Sequence, residues 1–339
     1  MKHILFFCSF LLLSLLTSAQ TEDYQLVFSD DFEGNVLDES KWSIYTGYAP
    51  NQEKQYYTDG YNNLRLEDGN LVIVARKEQA VTNRDYTSAR ISSQGKGFIR
   101  YGKIEARINV PSGAGTWPAF WMMPEESVYG TWPYSGEIDI MEHIGSDPRM
   151  ISHAVHTANK NGSKGNNWSN KQYKDDIENN FHVYSIIWDP DYINFYIDDV
   201  KSVTLWRNFA EDYKGWPFDQ NFYVILNLAL GGTMGGTIDD NIFSNPIEMK
   251  VDYVRLYAKN NSSIDGTTAN NKIRVSSTLI TNELTIDTNE PTVVSLFDLM
   301  GKLVSRVEVD GSKTISTDKM PKGIYLLKAF DETIKIMKQ

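Results

Sequence analysis

The chain has 339 residues, 33 Lys and Arg against 44 Asp and Glu for a formal net charge of −11, and 41 % apolar residues with 11 prolines. That composition excludes a disordered or collagen-like chain, and the acidic balance argues against a nucleic-acid partner. Aromatic residues make up 12 % of the chain, more than core filling alone explains.

In chain order, residues 1–19 (MKHILFFCSFLLLSLLTSA) place Lys2 before an apolar run that ends in small residues. The pattern predicts a secretory signal peptide, too short for a permanent membrane helix. The single cysteine, Cys8, lies inside it, so the exported chain is expected to carry no disulfide. From residue 20 to 258, runs rich in Val, Ile, Tyr and Phe recur between Gly, Asn, Asp and Pro, among them 70–76, 181–188, 192–198 and 221–230. They predict an all-β domain of about 240 residues, large enough to fold without covalent staples. Asp189-Pro190-Asp191 predicts a hairpin turn between two of these strands. In VDYVRLY (251–257), strict alternation puts Val251, Tyr253, Arg255 and Tyr257 on one face. Residues 259–271 (KNNSSIDGTTANN) are polar and aperiodic and read as a linker. Residues 272–339 repeat the strand pattern on a smaller scale, predicting a second, small β-sandwich.

The chemistry concentrates in GEIDIMEHIG (136–145). Along a strand Glu137 and Asp139 share one face, with Ile138 and Ile140 on the other. Strict continuation would bury Glu142, a costly place for a charge. One extra residue at Ile140-Met141, a β-bulge, sends Met141 inward and returns Glu142 to the acidic face. Glu137 and Glu142 then stand roughly 13 Å apart at Cα, close enough for their carboxyls to approach the ~5 Å used by retaining glycosidases. Asp139, beside Glu137, is expected to share a proton with it, since like charges that close cannot both ionise readily. Three acids on a strand can also be a merely solvated face, but apolar and aromatic neighbours speak for a site.

Those neighbours are GTWPAFWMMP (115–124) and YGTWPYSGE (129–137). Trp117 and Trp121 share a strand face opposite Phe120, and Trp132 precedes Glu137 in a loop. Flat rings suit the apolar faces of sugars. On the following strand, SHAVHT (152–157), Ser152, Ala154 and His156 share a face, whereas His153 lies with Ile151 and Val155. His156 is placed to meet an acid or a sugar hydroxyl, or to serve structure alone; His143 and His182 read as structural. There is no HExxH and no phosphate loop, and GGTMGG (231–236), without a lysine, reads as a turn.

GEIDIMEHIG, with WPAFWMMP before it and VILNLALGG and VDYVRLY after it, resembles glycoside hydrolase family 16, and within it the bacterial laminarinases. The resemblance spans about residues 24–258. It implies a β-jelly-roll sandwich that hydrolyses β-1,3-glucan, with mixed-linkage β-1,3-1,4-glucan as a further substrate. Retention of configuration follows from it, with Glu137 as nucleophile, Asp139 as its assistant and Glu142 as acid/base. It also implies sugar contacts at Trp117, Trp121, Trp132, His156, Asn51 and Arg90. No cofactor is implied for catalysis, but a structural Ca2+ is, at Glu33, Gly69 and Asp252. Lys54 departs from the apolar residue expected in NQEKQYYT. Two alternatives stand beside this one: the same chemistry on a red-algal galactan (agarose or carrageenan), and a non-catalytic glucan-binding jelly-roll. The tail, with SLFDLMGKLV (295–304) and MPKGIYLLKAFDETIKIMKQ (320–339), resembles the C-terminal sorting domain of type IX secretion, although the usual opening Pro-Asn-Pro is absent. A small carbohydrate-binding module is the other reading of the tail, which holds no Trp and one Tyr, Tyr325. The expected product is a secreted or cell-surface monomer that engages a polysaccharide and the secretion machinery.

Overall fold

A computed structural model describes residues 24–207, 212–259, 273–275, 279–298, 302–330 and 332–338. The predicted signal peptide and residues 260–271 of the predicted linker lie outside them. The chain divides into two compact units, Met1–Ser263 and Ile264–Gln339.

Two eight-stranded sheets build the first unit. The sheet that carries the acids runs Trp168–Tyr173, Met150–His156, Glu137–His143, Thr116–Pro124, Phe222–Leu230, Arg90–Ser92 and Ser43–Ile44, each strand antiparallel to its neighbour, with Phe98–Ile99 also on Phe222–Leu230. The opposing sheet runs Val200–Trp206, Tyr192–Ile197, Phe181–Trp188, Gly102–Asn109, Ile247–Lys259, Asn70–Ala75 and Leu64–Glu67, with Tyr24–Asp30 on Ile247–Lys259. Alternate side chains from both sheets meet in one core, with Phe120, Met122, Ile138, Val224, Leu226 and Leu228 from one side and Ile104, Ile186, Phe195 and Val254 from the other.

The acid strand bends where its sequence requires. Asp139 pairs with Ala154 and Glu142 with Ser152, so Ile140 and Met141 together oppose the single residue His153. Ile138, Ile140 and Met141 are all fully buried. Burying Met141 is worth roughly 1.5–3 kcal/mol, while a carboxylate in its place would cost several, so the bulge is favoured on both counts.

A second bulge corrects the reading of VDYVRLY. The register with Gly102–Asn109 shifts between Val251 and Tyr253, so Val251 joins Val254 and Leu256 in the core and not Tyr253, Arg255 and Tyr257. The extra residue lifts Asp252 out of the interior, the same solution that serves Glu142.

The second unit has a three-stranded sheet (Ile273–Val275, Glu283–Thr288, Ser312–Ser316) and a five-stranded one (Leu279–Ile280, Glu332–Lys338, Gly323–Ala329, Thr292–Asp298, Leu303–Val309). Leu284 and Ile286 from the first pack with Val294, Leu296, Leu327 and Ile336 from the second, a small sandwich core.

Candidate active site

The site lies on the face of the acid-bearing sheet turned away from the core. Glu137 and Glu142 are half-buried, and Asp139, between them, is 3 % exposed. Each glutamate is held by an indole. Trp132 Nε1 donates to Glu137 Oε2, and Trp117 Nε1 donates to Glu142 Oε1 at 3.1 Å. Sequence spacing sets these two rings near the acids but gives no sign of their hydrogen bonds to them.

His156 completes the cluster. Its Nε2 lies 3.3 Å from Asp139 Oδ2, and its ring stands 5.8 Å from that of Trp132. The Gly162 amide donates to Nδ1 at 3.0 Å, so Nδ1 is the acceptor and the neutral ring carries its proton on Nε2, facing Asp139. Ligand atoms of Glu137, Asp139 and His156 lie within 4.8 Å of one another. A metal ion would need the Nε2 lone pair, which this tautomer does not offer.

One strand further across, Trp121 Nε1 donates to Asn227 Oδ1 at 2.7 Å, and the Arg90 guanidinium stacks 4.8 Å from the Trp121 ring and 5.2 Å from that of Tyr45. Asn227 Nδ2 donates to the Tyr57 hydroxyl at 3.1 Å, which in turn donates to the buried Glu53 at 3.0 Å. Trp121 and Arg90 therefore meet, tied to a buried polar chain that sequence reading missed. Asn51 sits apart from the acids. Its carbonyl accepts from Thr233 N at 2.9 Å, in the short helix Gly232–Gly235 that forms part of GGTMGG. A Cβ on Gly235 would stand 3.4 Å from that of Trp117, so Asn51 reaches the Trp117 end of the site through this helix. Lys54 is exposed beside it.

Register sets Lys171, Ser152, Glu142, Ala119, Asn227 and Arg90 in one row across six strands. At ~4.8 Å per strand the row is roughly 24 Å long, with the strand of the acids inside it and not at its end.

Residues 51–255 match the family described as glycosyl hydrolases family 16. A beta-glucanase of Rhodothermus marinus is 40 % identical over 256 residues, covering 71 % of this chain and 87 % of its own. The X-ray structure of the laminarinase from Rhodothermus marinus superposes with a TM-score of 0.66 at 41 % identity, covering 70 % of this chain and 98 % of that one. The laminarinase from Flavobacterium sp. UMI-01 gives 0.63 at 38 %, covering 69 % and 100 %. The chain belongs to glycosyl hydrolases family 16. Its tail, residues 280–339, matches the secretion system C-terminal sorting domain, which marks this glycoside hydrolase for export to the surface or the medium.

The electrostatics suit a hydrolase with paired acids. Burial, then the charge of Asp139, pushes Glu137 up to about 8, against His156 and the Trp132 hydrogen bond. Burial, then the charge of Glu137, pushes Glu142 up to about 7, against Trp117 and His156. Burial and the charge of Glu142 hold Asp139 well above the usual carboxylate range. At neutral pH the cluster therefore retains protons, as a general acid requires. Burial also raises Glu53, opposed by its hydrogen bonds from Gln55 and Tyr57.

Of the residues missed, Asn227 left a trace in the sequence, as the one polar side chain in a strand buried at every position, Phe222–Leu230. Glu53 and Tyr57 lie in NQEKQYYT, a polar run in which nothing marks Glu53 as buried.

Proposed function

We propose that the enzyme cleaves β-1,3-glucan within the chain and with retention of configuration, Glu142 protonating the departing oxygen while Glu137 attacks the anomeric carbon. The observation that carries this is the bulge, which sets two indole-held glutamates on one face with a buried carboxyl between them. Asp139, the more deeply buried of its pair, is held well above the usual carboxylate range, so the shared proton resides on it; with Asp139 neutral, the charge that pushes Glu137 up is removed and Glu137 can ionise and react. His156 Nε2, which carries the ring proton, lies 3.3 Å from Asp139 Oδ2, an oxygen with no hydrogen-bond partner among the described residues, so the ring is poised to steady Asp139 once the site closes on sugar. Once the glycosyl-enzyme forms, Glu142 is ionised and deprotonates the incoming water, and hydrolysis restores both groups. Trp121 and Arg90 are placed to bind sugar beyond the cleavage point, and Asn51 to bind at the Trp117 end. The interior position of the acids in a row roughly 24 Å long favours internal cleavage.

Glucan is favoured over galactan because the R. marinus relative is named a beta-glucanase and the similar structures are laminarinases. Purified enzyme should shorten laminarin, and to some extent lichenan, to mixed oligosaccharides that appear first as the β-anomer. Cleavage of agarose or carrageenan in place of laminarin, or an α-anomer first, would reject the assignment.

Three further parts belong to this proposal. Residues 1–19 are removed on export, leaving a cysteine-free chain that begins at Gln20, which N-terminal sequencing checks. The enzyme acts as a monomer, which sedimentation at catalytic concentration checks. A calcium ion is held by Glu33, Gly69 and Asp252. The Glu33 carboxylate lies 3.4 Å from where a Gly69 Cβ would stand, and the Leu71–Val251 pairing brings Asp252 alongside. Asp252 gives one oxygen to Arg107 at 2.6 Å and keeps the other for an ion. A thermal midpoint unchanged by chelator would discard that ion.

A further inference from the structure

The bulge that makes the site has a cost of its own. Ile140 has no register partner on either neighbouring strand, so no residue stands directly opposite it in either ladder. A carbonyl left unpaired inside a sandwich is expensive, on the scale of a lost hydrogen bond. Here it is met from the core side. His153, the single residue opposite the bulge, turns its ring inward and its Nδ1 lies 2.7 Å from the Ile140 carbonyl. The ring is fully buried and lies 4.9 Å from Phe195 of the opposing sheet, tilted by 31°.

The chemistry of this contact fixes the ring's state. A carbonyl only accepts, so Nδ1 must carry the hydrogen. Burial pushes the imidazole down to about 4, which keeps it neutral near neutral pH and leaves Nε2 bare. Among the described residues Nε2 has no hydrogen-bond partner. An apolar side chain would avoid that unmatched nitrogen, so filling the core gives no reason for histidine here. Satisfying the bulge carbonyl does.

We propose that His153 is a positioning residue for catalysis: its Nδ1–H, donated to the Ile140 carbonyl, pins the bulge and thereby the spacing of Glu142 from Glu137. It touches neither substrate nor reacting atoms. The inference rests on the glucanase reading above, and wild-type turnover of laminarin, run alongside, tests that reading separately.

Two variants separate the donor from the ring. In His153→Asn the amide Nδ2 stands roughly where Nδ1 did, so the donor is kept and the ring is lost. In His153→Phe the ring is kept against Phe195 and the donor is lost. With both shown to be folded by circular dichroism, kcat on laminarin should fall on the order of 10²-fold in the Phe variant and stay within about threefold of wild type in the Asn variant, with KM little changed in either. A Phe variant with wild-type kcat overturns the proposal, as does an Asn variant as impaired as the Phe one, or a loss confined to KM. If the Phe variant does not fold, His153→Leu takes its place under the same criteria. A third measurement needs only the wild type with assigned resonances: 15N spectra at about pH 6 should show His153 neutral with its proton on Nδ1. A proton on Nε2, or a charged ring, overturns the proposal whatever the variants do.

Discussion

Exchanging His153 for asparagine should change how the fold responds to acid. The ring ionises near 6.5 in an open chain, and burial lowers it to about 4 in the folded protein, with only the Ile140 bond acting the other way. Because the folded value is the lower one, the unfolded chain takes up the proton first as pH falls. The stability tied to the neutral ring is therefore complete above about pH 6.5 and lost progressively down to about pH 4. A shift of that size corresponds to about 3 kcal/mol, and in a domain this large to roughly 10 °C in thermal midpoint. The contacts recorded for the ring, the Ile140 carbonyl and Phe195, carry no charge, and burial and the Ile140 bond are the only influences on its ionisation.

The assay is the thermal midpoint of wild type and His153→Asn from about pH 7 to about pH 4. The acid cluster must be allowed for, because it acts in the opposite sense. Glu137 and Glu142 titrate higher in the folded state than their ordinary 4.5, so the fold gains from their protonation as pH falls. Both proteins carry that cluster, and it cancels in the difference between their curves. The wild type should lose its midpoint faster than the variant over this window, by several degrees. Parallel curves would mean that the ring is not held neutral by burial, and the account of the bulge would fall with it.

Other expectations follow from the same geometry. Glu137→Ala and Glu142→Ala should each lower kcat by several orders of magnitude while laminarin binding, measured by affinity electrophoresis, persists; turnover near wild type in either variant would remove the residue from its role. Asp139→Asn should be slowed but active. It should also lose less stability than the wild type as pH rises from about 5 to about 8, because one buried carboxyl no longer has to ionise, and an unchanged pH–stability curve would count against the shared proton. Tyr57→Phe removes the hydroxyl between Glu53 and Asn227, at a cost of about 1–3 kcal/mol in stability. With Trp121 less firmly held, KM for laminarin should rise at constant kcat, whereas a loss confined to kcat would place the network nearer the chemistry than the structure does.

What could be read from the sequence, and what could not, follows from where the conflict between pattern and charge shows. Glu142 gave the acid strand away, since strict alternation would have driven a carboxylate among Ile138 and Ile140, and only an extra residue resolves that. Asp252 sends the same signal: strict alternation puts it with Val254 and Leu256, and the shift at Val251 lifts it clear. The same conflict between alternation and charge stands at both places, and a bulge resolves each. The aromatic residues were legible as a face, because Trp117 and Trp121 are four apart, but their N–H partners were not. Trp117 reaches Glu142 from an adjacent strand, and Asn227 joins Tyr57 across 170 residues of chain, distances that only the closed sheet brings together.

His153 was hidden for another reason. Its partner is a main-chain carbonyl, a group every residue carries, so no side-chain pattern can point to it. The strand Met150–His156 bears two histidines three residues apart, and alternation sends them to opposite faces. His156 faces the acids with its proton on Nε2 and its Nδ1 held by Gly162; His153 faces the core with its proton on Nδ1 and its Nε2 bare. Read from composition they are the same residue. In the fold they flank the acid strand on its two faces, one lying 3.3 Å from Asp139 and the other bonded to the peptide that lets Glu142 return to the face of Glu137. The catalytic spacing is thus set by the neighbouring strand as much as by the strand that carries the acids, and a search for functional residues confined to the open face would find only half of that support.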